Sequence, residues 1–392
     1  MTTTTSTALN LPRAHGAIEP YSPGAPSPYT TPHGPPRSRV CFAAAHVVAD
    51  PLAPGDPEGP ARLDWDATLA FRRHLWSHGF RVAEAMDTAQ RGMGLDWPAT
   101  QELIRRSVAD AKECGGGIAA GAGTDHLAPT APTLDDVRAA YDEQCAFVEG
   151  TGAQVVLMAS RALTAAARGA DDYADVYGHV LGQLAQPAIL HWLGPAFDPA
   201  LAGYWGDADL DAASETMLAI IGANRDKVDG VKVSLLDHGR EVALRRRLPD
   251  GVRLYTGDDF HYPELIRGDE HGHSDALLGI FDAIAPAAAA ALAALDAGDA
   301  ARYDEILAPT VALSRHVFQA PTYQYKTGIV FLAYLNDHQH HFRMVGGRES
   351  ARSITHLAEL FVLADGAGLL RDPDRAAARM RGALELAGVE QP

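Results

Sequence analysis

The sequence predicts an α/β protein folded as a (β/α)8 TIM barrel, with a C-terminal helical extension and a loose N-terminal arm. From residue 40 onward, short apolar segments alternate with longer amphipathic ones. Eight such strand–helix units follow one another in about 250 residues, the usual length of this kind of barrel. The apolar segments show no regular alternation with polar residues, which is typical of parallel strands covered on both faces.

The first 38 residues differ in composition from the rest of the chain. They are rich in Thr, Pro, Ser and Gly, as in the stretch YSPGAPSPYTTPHGPPRS. Such a segment buries too little apolar surface to offset the entropy lost when it becomes ordered. We therefore expect residues 1–38 to form a flexible arm, which could pack on a neighbouring subunit. The barrel is expected over residues 39–297 and the helical region over residues 298–392.

The candidate strands are separated by segments with helical patterns. One of these segments begins with Thr133, a common capping residue, and another ends in Gly79, which suits the position after a helix. A doubly wound open sheet is the main alternative fold, but the stretch HVVADPLAPGDPEG after the first strand lacks its GxGxxG turn. The eight candidate strands lie at residues 40–46, 80–86, 117–123, 154–160, 187–193, 228–234, 251–257 and 274–280.

Charge and cysteine content exclude several classes of partner. The net charge is −17 and the arginines are scattered, which argues against nucleic acids and acidic membrane surfaces. No apolar run of membrane-spanning length is free of charges, and the N-terminus lacks the pattern of a secretory signal. The three cysteines have no CxxC spacing, which fits a reducing compartment. We expect a cytoplasmic protein with a small-molecule partner.

One lysine lies within a candidate strand. The chain has only four lysines, and Lys232 lies in the apolar stretch VDGVKVS. The ordinary interpretation is a side chain that extends from the strand end into solvent. If the side chain points into the barrel, burial lowers the pKa of its amine, and the neutral amine can attack a carbonyl to form a Schiff base. Active sites of such barrels lie at the C-terminal strand ends, close to the expected position of Lys232.

Several motifs follow one another in a fixed order. Gly230-Val231-Lys232 and YTGDD (255–259) are accompanied by PAILHWLGP (187–195), FDAIAPAAAAALAALDAGD (281–299) and YQYKTGIVFLAYL (323–335). In order and spacing they resemble the motifs of the dihydrodipicolinate synthase / N-acetylneuraminate lyase superfamily. The resemblance implies that Lys232 forms a Schiff base with a 2-keto acid, that Gly257 lies at the substrate, and that no metal or nucleotide cofactor is needed. It also implies a homo-oligomer, either a dimer or a tetramer.

The chain departs from the superfamily where the substrate is held. The second strand of the family ends in G-T-T-G-E, whereas this chain has Asp87 and Thr88 near those positions. Arg161 follows the fourth strand, which ends in P-Y-Y in the family, and His191 replaces a tyrosine of the fifth strand. The resemblance therefore implies the fold and imine chemistry of a divergent branch with a different substrate. An aspartate at position 87 would suit a substrate derived from a sugar.

Each of these residues also has a structural explanation. His191 is either a hydrogen-bonded core histidine or a general acid–base. Arg161 is either part of a salt bridge at the barrel rim or a fork for a carboxylate or phosphate. Asp87 either pairs with Arg161 or Arg91 or binds substrate hydroxyls. His238, in the loop after the lysine strand, is either a polar residue at a helix start or a residue of the substrate pocket.

Two histidine-rich segments raise the question of a metal site. GDEHGHSD (268–275) offers His271 and His273 together with carboxylates, which are ligands that transition metals prefer. This segment precedes the eighth strand, however, and so belongs to the non-catalytic end of the barrel. NDHQHHF (336–342) lies in the helical region. We expect a solvated loop and an inter-helix surface, and no bound metal.

The sequence thus favours a class I lyase or aldolase in which Lys232 attacks a 2-keto acid or keto sugar acid. Two alternatives stay open: a metal-dependent hydrolase or class II aldolase with histidine ligands, and a non-catalytic barrel that binds a small polyol or acid. Loss of activity with a chelator would indicate the first alternative, and tight binding without turnover the second.

Overall fold

The structure is a computed structural model that describes residues 8–30, 34–54, 59–127 and 131–392. In these residues eight parallel strands lie side by side in chain order, and the last closes on the first to form a barrel. All eight predicted strands are present, so the predicted fold class is confirmed. Numbered with the two strands of the N-terminal arm, they are β1 Leu9–Pro12, β2 Ile18–Tyr21, β3 Cys41–Ala44, β4 Arg81–Glu84, β5 Ile118–Ala122, β6 Gln154–Leu157, β7 Ala188–Leu193, β8 Val228–Ser234, β9 Arg253–Thr256 and β10 Asp275–Leu278.

Helices cover the outside of the barrel and continue beyond it. Those around the barrel are α1 Trp65–Ser77, α2 Trp97–Cys114, α3 Leu134–Thr151, α4 Arg161–Ala166, α5 Ala170–Gln183, α6 Leu210–Ala223, α7 His238–Arg245, α8 Tyr262–Arg267 and α9 Ile280–Asp296. The C-terminal region adds α10 Ala300–Val317, α11 Tyr325–Leu335, α12 Ile354–Gly366 and α13 Pro373–Leu386. Within the described ranges, every helix is too short or too polar to cross a membrane.

Local side-chain chemistry sets several helix ends. Thr133 and Asp136 form a capping box at the start of α3, in which each side chain accepts a hydrogen bond from the other residue's backbone. Asp64 caps α1 by accepting a hydrogen bond from the backbone of Ala67. Gly79 follows α1 with a φ of +83°, the left-handed conformation that a glycine tolerates best. The ends at Thr133 and Gly79 are the ones that the sequence predicts.

The inside of the barrel is filled by one cluster of apolar side chains. It includes Phe42, Val156, Ile189, Tyr255 and Leu277, each at most 1% exposed. Two larger clusters lie outside this one and pack the strands against the helices. Because side chains alternate along a strand, any residue two positions from a member of the inner cluster also faces the interior.

The C-terminal helices pack on α9 and reach the end of the barrel where the strands have their C-termini. α10 lies along α9, and α11 contacts α9, α12 and α13. The first residue of α11, Tyr325, hydrogen-bonds Asp87 and Thr88, which follow β4. Since β4 ends at the face where such barrels carry their active sites, the helical region contributes side chains to that face.

The N-terminal arm is packed rather than loose in the residues that the structure describes. β1 and β2 form an antiparallel pair, and Leu9 and Leu11 are fully buried against the C-terminal helices. The Tyr21 hydroxyl donates a hydrogen bond to Asp365 at 2.5 Å. The expectation failed because it averaged composition over 38 residues, whereas LNLP alone alternates buried and half-buried residues. Residues 1–7 and 31–33 of the predicted arm lie outside the described residues.

Candidate active site

Lys232 lies inside the barrel on β8. Its register partners are His191 on β7 and Tyr255 on β9. Register partners on parallel strands share a face, and Tyr255 belongs to the inner cluster, so Lys232 points inward. The residue is 5% exposed, and its amine makes no hydrogen bond or ion pair with any residue that the structure describes. The interpretation of Lys232 as a lysine that extends into solvent therefore does not apply.

Burial and two carboxyl groups act on Lys232 in opposite directions. Burial lowers the pKa of its ammonium group below the ordinary value, whereas Asp87 and Asp259 raise it. Burial also raises the pKa of Asp259 to about 8, although its Oδ1 accepts a hydrogen bond from the backbone of Ile280 at 2.9 Å. Asp259 is therefore mostly protonated at neutral pH, which leaves Asp87 as the main negative charge that acts on Lys232.

Gly257 leaves the space that the Lys232 side chain occupies. A Cβ at this position would lie 2.8 Å from Lys232 Cε and 2.1 Å from Ser234 Oγ. The backbone of Gly257 donates a hydrogen bond to Val233 O at 2.8 Å, which holds it against β8. The sequence assigns Gly257 to substrate binding, and the structure places it in direct contact with the lysine.

His191 lies beside Lys232 on the interior face. It is 2% exposed, and its Nε2 lies 3.2 Å from Ser234 Oγ. Burial, with a further contribution from the charge of Lys232, holds the pKa of His191 well below its ordinary value. The imidazole is therefore neutral at neutral pH and both donates and accepts a hydrogen bond. Its low pKa makes it a weak general base, better suited to orienting a substrate oxygen than to removing a proton.

Asp87, Thr88 and Tyr325 form a hydrogen-bonded chain at the end of the barrel. Tyr325 Oη lies 2.8 Å from Asp87 Oδ2 and 2.7 Å from Thr88 Oγ1. Burial raises the pKa of Asp87, but nearby positive charges, led by Lys326, and the phenol together hold it below its ordinary value. Asp87 is therefore ionised and accepts a hydrogen bond from the phenol hydroxyl of Tyr325. The hydroxyl of Thr88 must then donate its hydrogen bond to the phenol oxygen.

A second buried lysine, Lys326, lies at the same end of the barrel. It is 3% exposed, and its Nζ donates a hydrogen bond to Tyr323 O at 3.2 Å. The same Nζ lies 3.7 Å from Asp87 Oδ2. Burial lowers the pKa of Lys326, and Asp87 raises it. In contrast to Lys232, this amine is already engaged by its neighbours.

A cavity of about 600 Å³ opens at the strand ends, and Asp87 and His191 form part of its wall. A smaller space of about 270 Å³ shares Asp87 and Arg161 with the first and extends to Lys326. Lys232 is not part of either wall, but Asp87 lines both spaces and His191 lines the larger one. The combined volume suits a small metabolite.

Arg161 is the first residue of α4 and lines both spaces. Its side chain is 54% exposed, and its Nε donates to Asp198 Oδ2 at 2.5 Å, so the ion pair at the rim is present. Its two terminal nitrogens make no hydrogen bond with the described part of the chain and can bind an anion. Asp87 pairs with neither of the two arginines considered from the sequence. Arg161 binds Asp198, and Arg91 binds Asp125.

The other predicted polar residues lie away from the lysine. His238 is exposed at the first position of α7 and lines neither space. His271 is exposed next to Glu270, and Asp269 pairs with Arg245. In the ranges that the structure describes, no three or more histidine, cysteine and carboxylate side chains are arranged to hold a metal ion. The metal-dependent alternative therefore gains no support from the geometry.

Three residues of the site are absent from the sequence-based set: Asp259, Tyr325 and Lys326. All three lie in segments that carry the superfamily resemblance, YTGDD and YQYKTGIVFLAYL. Because the chain has only four lysines, the presence of Lys326 in one of these segments could have marked it as a candidate site residue. No local pattern indicates that the start of α11 meets the loop after β4.

The fold is a barrel similar to that of dihydrodipicolinate synthases, and it carries a buried lysine on its sixth strand. The enzyme from Aquifex aeolicus has a TM-score of 0.64 and 13% identity, covering 85% of this chain and 99% of that chain. The chloride-inhibited enzyme from Acinetobacter baumannii, complexed with pyruvate, has a TM-score of 0.64 and 15% identity, covering 85% and 100%. A putative dihydrodipicolinate synthetase from Pseudomonas aeruginosa has a TM-score of 0.64 and 16% identity. The match covers 84% of this chain and 99% of that chain. The resemblance stated from the sequence is confirmed at the level of the fold.

The family to which the chain belongs is more specific than the fold that it shares with the enzymes above. The family model described as "Protein of unknown function (DUF993)" matches residues 9–389, and the chain belongs to this family. The comparison with curated proteins gives no match. The chain thus combines membership of this family with the fold of dihydrodipicolinate synthases.

Proposed function

We propose that this protein is a class I, Schiff-base-forming lyase or aldolase that acts on a 2-keto acid or keto sugar acid through Lys232. The observation that carries the proposal is a buried amine with a lowered pKa and no partner among the described residues. A lysine buried for structural reasons is expected to pair with a carboxylate, as Lys326 does with Asp87. An unpaired one suits covalent chemistry on a carbonyl.

In the first step, the neutral amine of Lys232 attacks the keto carbon of a substrate that enters between His191 and Asp87. The N–C bond forms while the carbonyl π electrons move to oxygen, and a proton passes from nitrogen to oxygen to give a carbinolamine. The hydroxyl then takes up a second proton and leaves as water, which yields the iminium ion. The step consumes one proton and one carbonyl and releases one water molecule.

We assign the proton transfers to the chain formed by Thr88, Tyr325 and Asp87. The phenol lies between a hydroxyl that donates to it and a carboxylate that accepts from it, so a proton can move along the chain in either direction. Asp259, with its pKa of about 8, is a second acid near Lys232. His191 holds the substrate oxygen by a hydrogen bond. Tyr325 thus takes the place of the tyrosines that this chain lacks on its fourth and fifth barrel strands.

The charges around the two spaces support a substrate with a carboxylate. The free nitrogens of Arg161 match the two oxygens of a carboxylate, and Lys326 adds positive charge on the same side. Asp87 and Asp198 in the same walls suit the hydroxyls of a sugar-derived chain. The similar enzyme from Acinetobacter baumannii is complexed with pyruvate, a 2-keto acid. Cytoplasmic location and assembly into a homo-oligomer stay predictions.

Trapping with borohydride tests the proposal. The protein is incubated with pyruvate or 2-oxobutyrate, reduced with sodium borohydride and mapped by peptide mass spectrometry. We expect one adduct per chain, on Lys232. Because the chain has only four lysines, the map distinguishes Lys232 from Lys326, Lys227 and Lys112.

Matched variants complete the test. Lys232→Met keeps an apolar side chain of similar length and should abolish the adduct. Lys112→Met changes a lysine at the exposed end of α2 and should leave the adduct in full. An adduct on another lysine, or none with either keto acid in a folded protein, would contradict the proposed chemistry.

A further inference from the structure

A second cavity, of about 370 Å³, lies on the outer side of the barrel wall. α1 contributes Phe71 and His74 to it, α9 contributes Asp282 and Pro286, and Arg371 comes from the loop between α12 and α13. The cavity shares no described residue with the two spaces of the candidate active site. The chemistry proposed above uses none of these groups.

Three imidazoles form a group in the wall of this cavity. The ring centroid of His74 lies 4.7 Å from that of His78 and 4.4 Å from that of His338. The ring of Phe71 packs against His338 at 5.1 Å. Burial lowers the pKa of His74 to about 3 and that of His338 to about 2. Both rings are therefore uncharged at neutral pH, and they offer hydrogen bonds to a ligand without adding charge.

One buried polar atom of the wall is available to hydrogen-bond a ligand. His78 is 8% exposed, and its Nδ1 is buried without a partner among the described residues. Buried polar groups in proteins are usually satisfied, which makes His78 Nδ1 unusual.

Arg371 gives the cavity an available positive charge. Its side chain is exposed and makes no ion pair with the residues that the structure describes. Its guanidinium lies close enough to His74 and His338 to lower the pKa of both. The acid in the wall, Asp282, is already bound by His46, which donates to it from its backbone N at 2.7 Å and from Nδ1 at 2.8 Å. The charge available to a ligand is therefore positive.

We propose that this cavity is a binding site for a small aromatic carboxylate, separate from the active site. The carboxylate pairs with the planar guanidinium of Arg371. The aromatic ring packs against Phe71 and the imidazoles, at the distances where such rings attract one another. An N–H or O–H substituent on the ring hydrogen-bonds His78 Nδ1. A metal ion is a poorer occupant, because no suitable ligand group converges among the described residues and the guanidinium repels a cation.

Isothermal titration calorimetry of the full-length protein with sodium benzoate tests the proposal. Benzyl alcohol serves as a neutral molecule of similar shape. We expect benzoate to bind at one site per chain. We expect benzyl alcohol to bind about tenfold more weakly, since it lacks the charge-assisted hydrogen bonds to the guanidinium.

Paired variants assign the site. Arg371→Gln should weaken benzoate binding about tenfold, whereas Arg105→Gln, on the exposed face of α2, should leave it unchanged. Ala283→Leu fills the cavity and should abolish binding, whereas Ala290→Leu, on the same helix but outside the cavity, should preserve it. Lys232→Met should bind benzoate like the wild type.

The outcomes that overturn the proposal are specific. One is the absence of a binding signal with benzoate at its highest soluble concentration. Another is equal affinity in Arg371→Gln and the wild type. Loss of binding in Lys232→Met would place benzoate in the barrel instead, and would also refute the proposal. Because none of these outcomes depends on imine chemistry, failure here leaves the borohydride experiment unaffected.

Discussion

If Lys232 reacts as proposed, replacing Gly257 by alanine should displace this lysine and slow its reaction without removing it. The new Cβ would lie 2.8 Å from Lys232 Cε and 2.1 Å from Ser234 Oγ, whereas ordinary contacts begin at 3.4 Å. Cε must therefore retreat by about 0.6 Å, and Ser234 must rotate away from His191. The carbonyl of Val233, at 2.9 Å, limits how far the backbone can adapt.

The expected loss follows from that displacement. A misplacement of about 1 Å can cost an enzyme about 100-fold in rate. We expect Gly257→Ala to lower the rate of borohydride-trapped adduct formation with pyruvate by roughly 10- to 100-fold. The extra methyl group in a packed interior should also lower the free energy of unfolding by about 1–3 kcal/mol. The adduct should still form on Lys232, only more slowly.

The assay compares initial trapping rates by mass spectrometry in the two proteins and in a control. Gly182→Ala is the control, because this glycine lies in α5 and a Cβ there would meet no atom within 4 Å. That variant should trap pyruvate at the wild-type rate and should be slightly more stable, since alanine favours a helix over glycine. Urea unfolding confirms that each variant is folded. If Gly257→Ala traps pyruvate as fast as the wild type, Lys232 does not react from the position described here.

Two further predictions concern other buried groups. Tyr325→Phe removes the central hydroxyl of the proton chain and should slow trapping about 100-fold, with Tyr334→Phe on the same helix as an unaffected control. Glu241→Gln should stabilise the fold at neutral pH. Burial raises the pKa of Glu241 from 4.5 to about 8, so the stability of the wild type falls as pH rises from 4.5 to 8. Glutamine can keep the contacts to Thr256 and Ser274. Urea unfolding should show a gain of up to about 3 kcal/mol at pH 7 and little at pH 5; an equal gain at both values would contradict the raised pKa.

The barrel could be predicted from the sequence because its strands are defined by local patterns. Each apolar segment is buried on both faces, and the predicted segment 228–234 agrees with the observed strand at both ends. The position of Lys232 within that strand then determines that it faces the interior and has His191 as its neighbour. Sequence analysis could therefore identify the site residues, such as Lys232 and His191, that belong to the strands themselves.

The rest of the site depends on contacts between distant parts of the chain. Tyr325 and Asp87 are 238 residues apart in sequence, and no periodic pattern encodes their meeting. The same applies to the arm, where the contact between Tyr21 and Asp365 spans 344 residues. Composition predicted a loose segment because it contains no information on which surface is available to cover two leucines.

The contribution of α11 to the site has a consequence for how this family can change its chemistry. The proposed nucleophile, Lys232, belongs to the strands, whereas the phenol of Tyr325 and the amine of Lys326 belong to a helix added after the barrel is complete. Substitutions in one peripheral helix can therefore alter proton handling and substrate choice while the eight strands stay intact. A barrel expressed without that helix would keep its lysine and lose the groups that direct it.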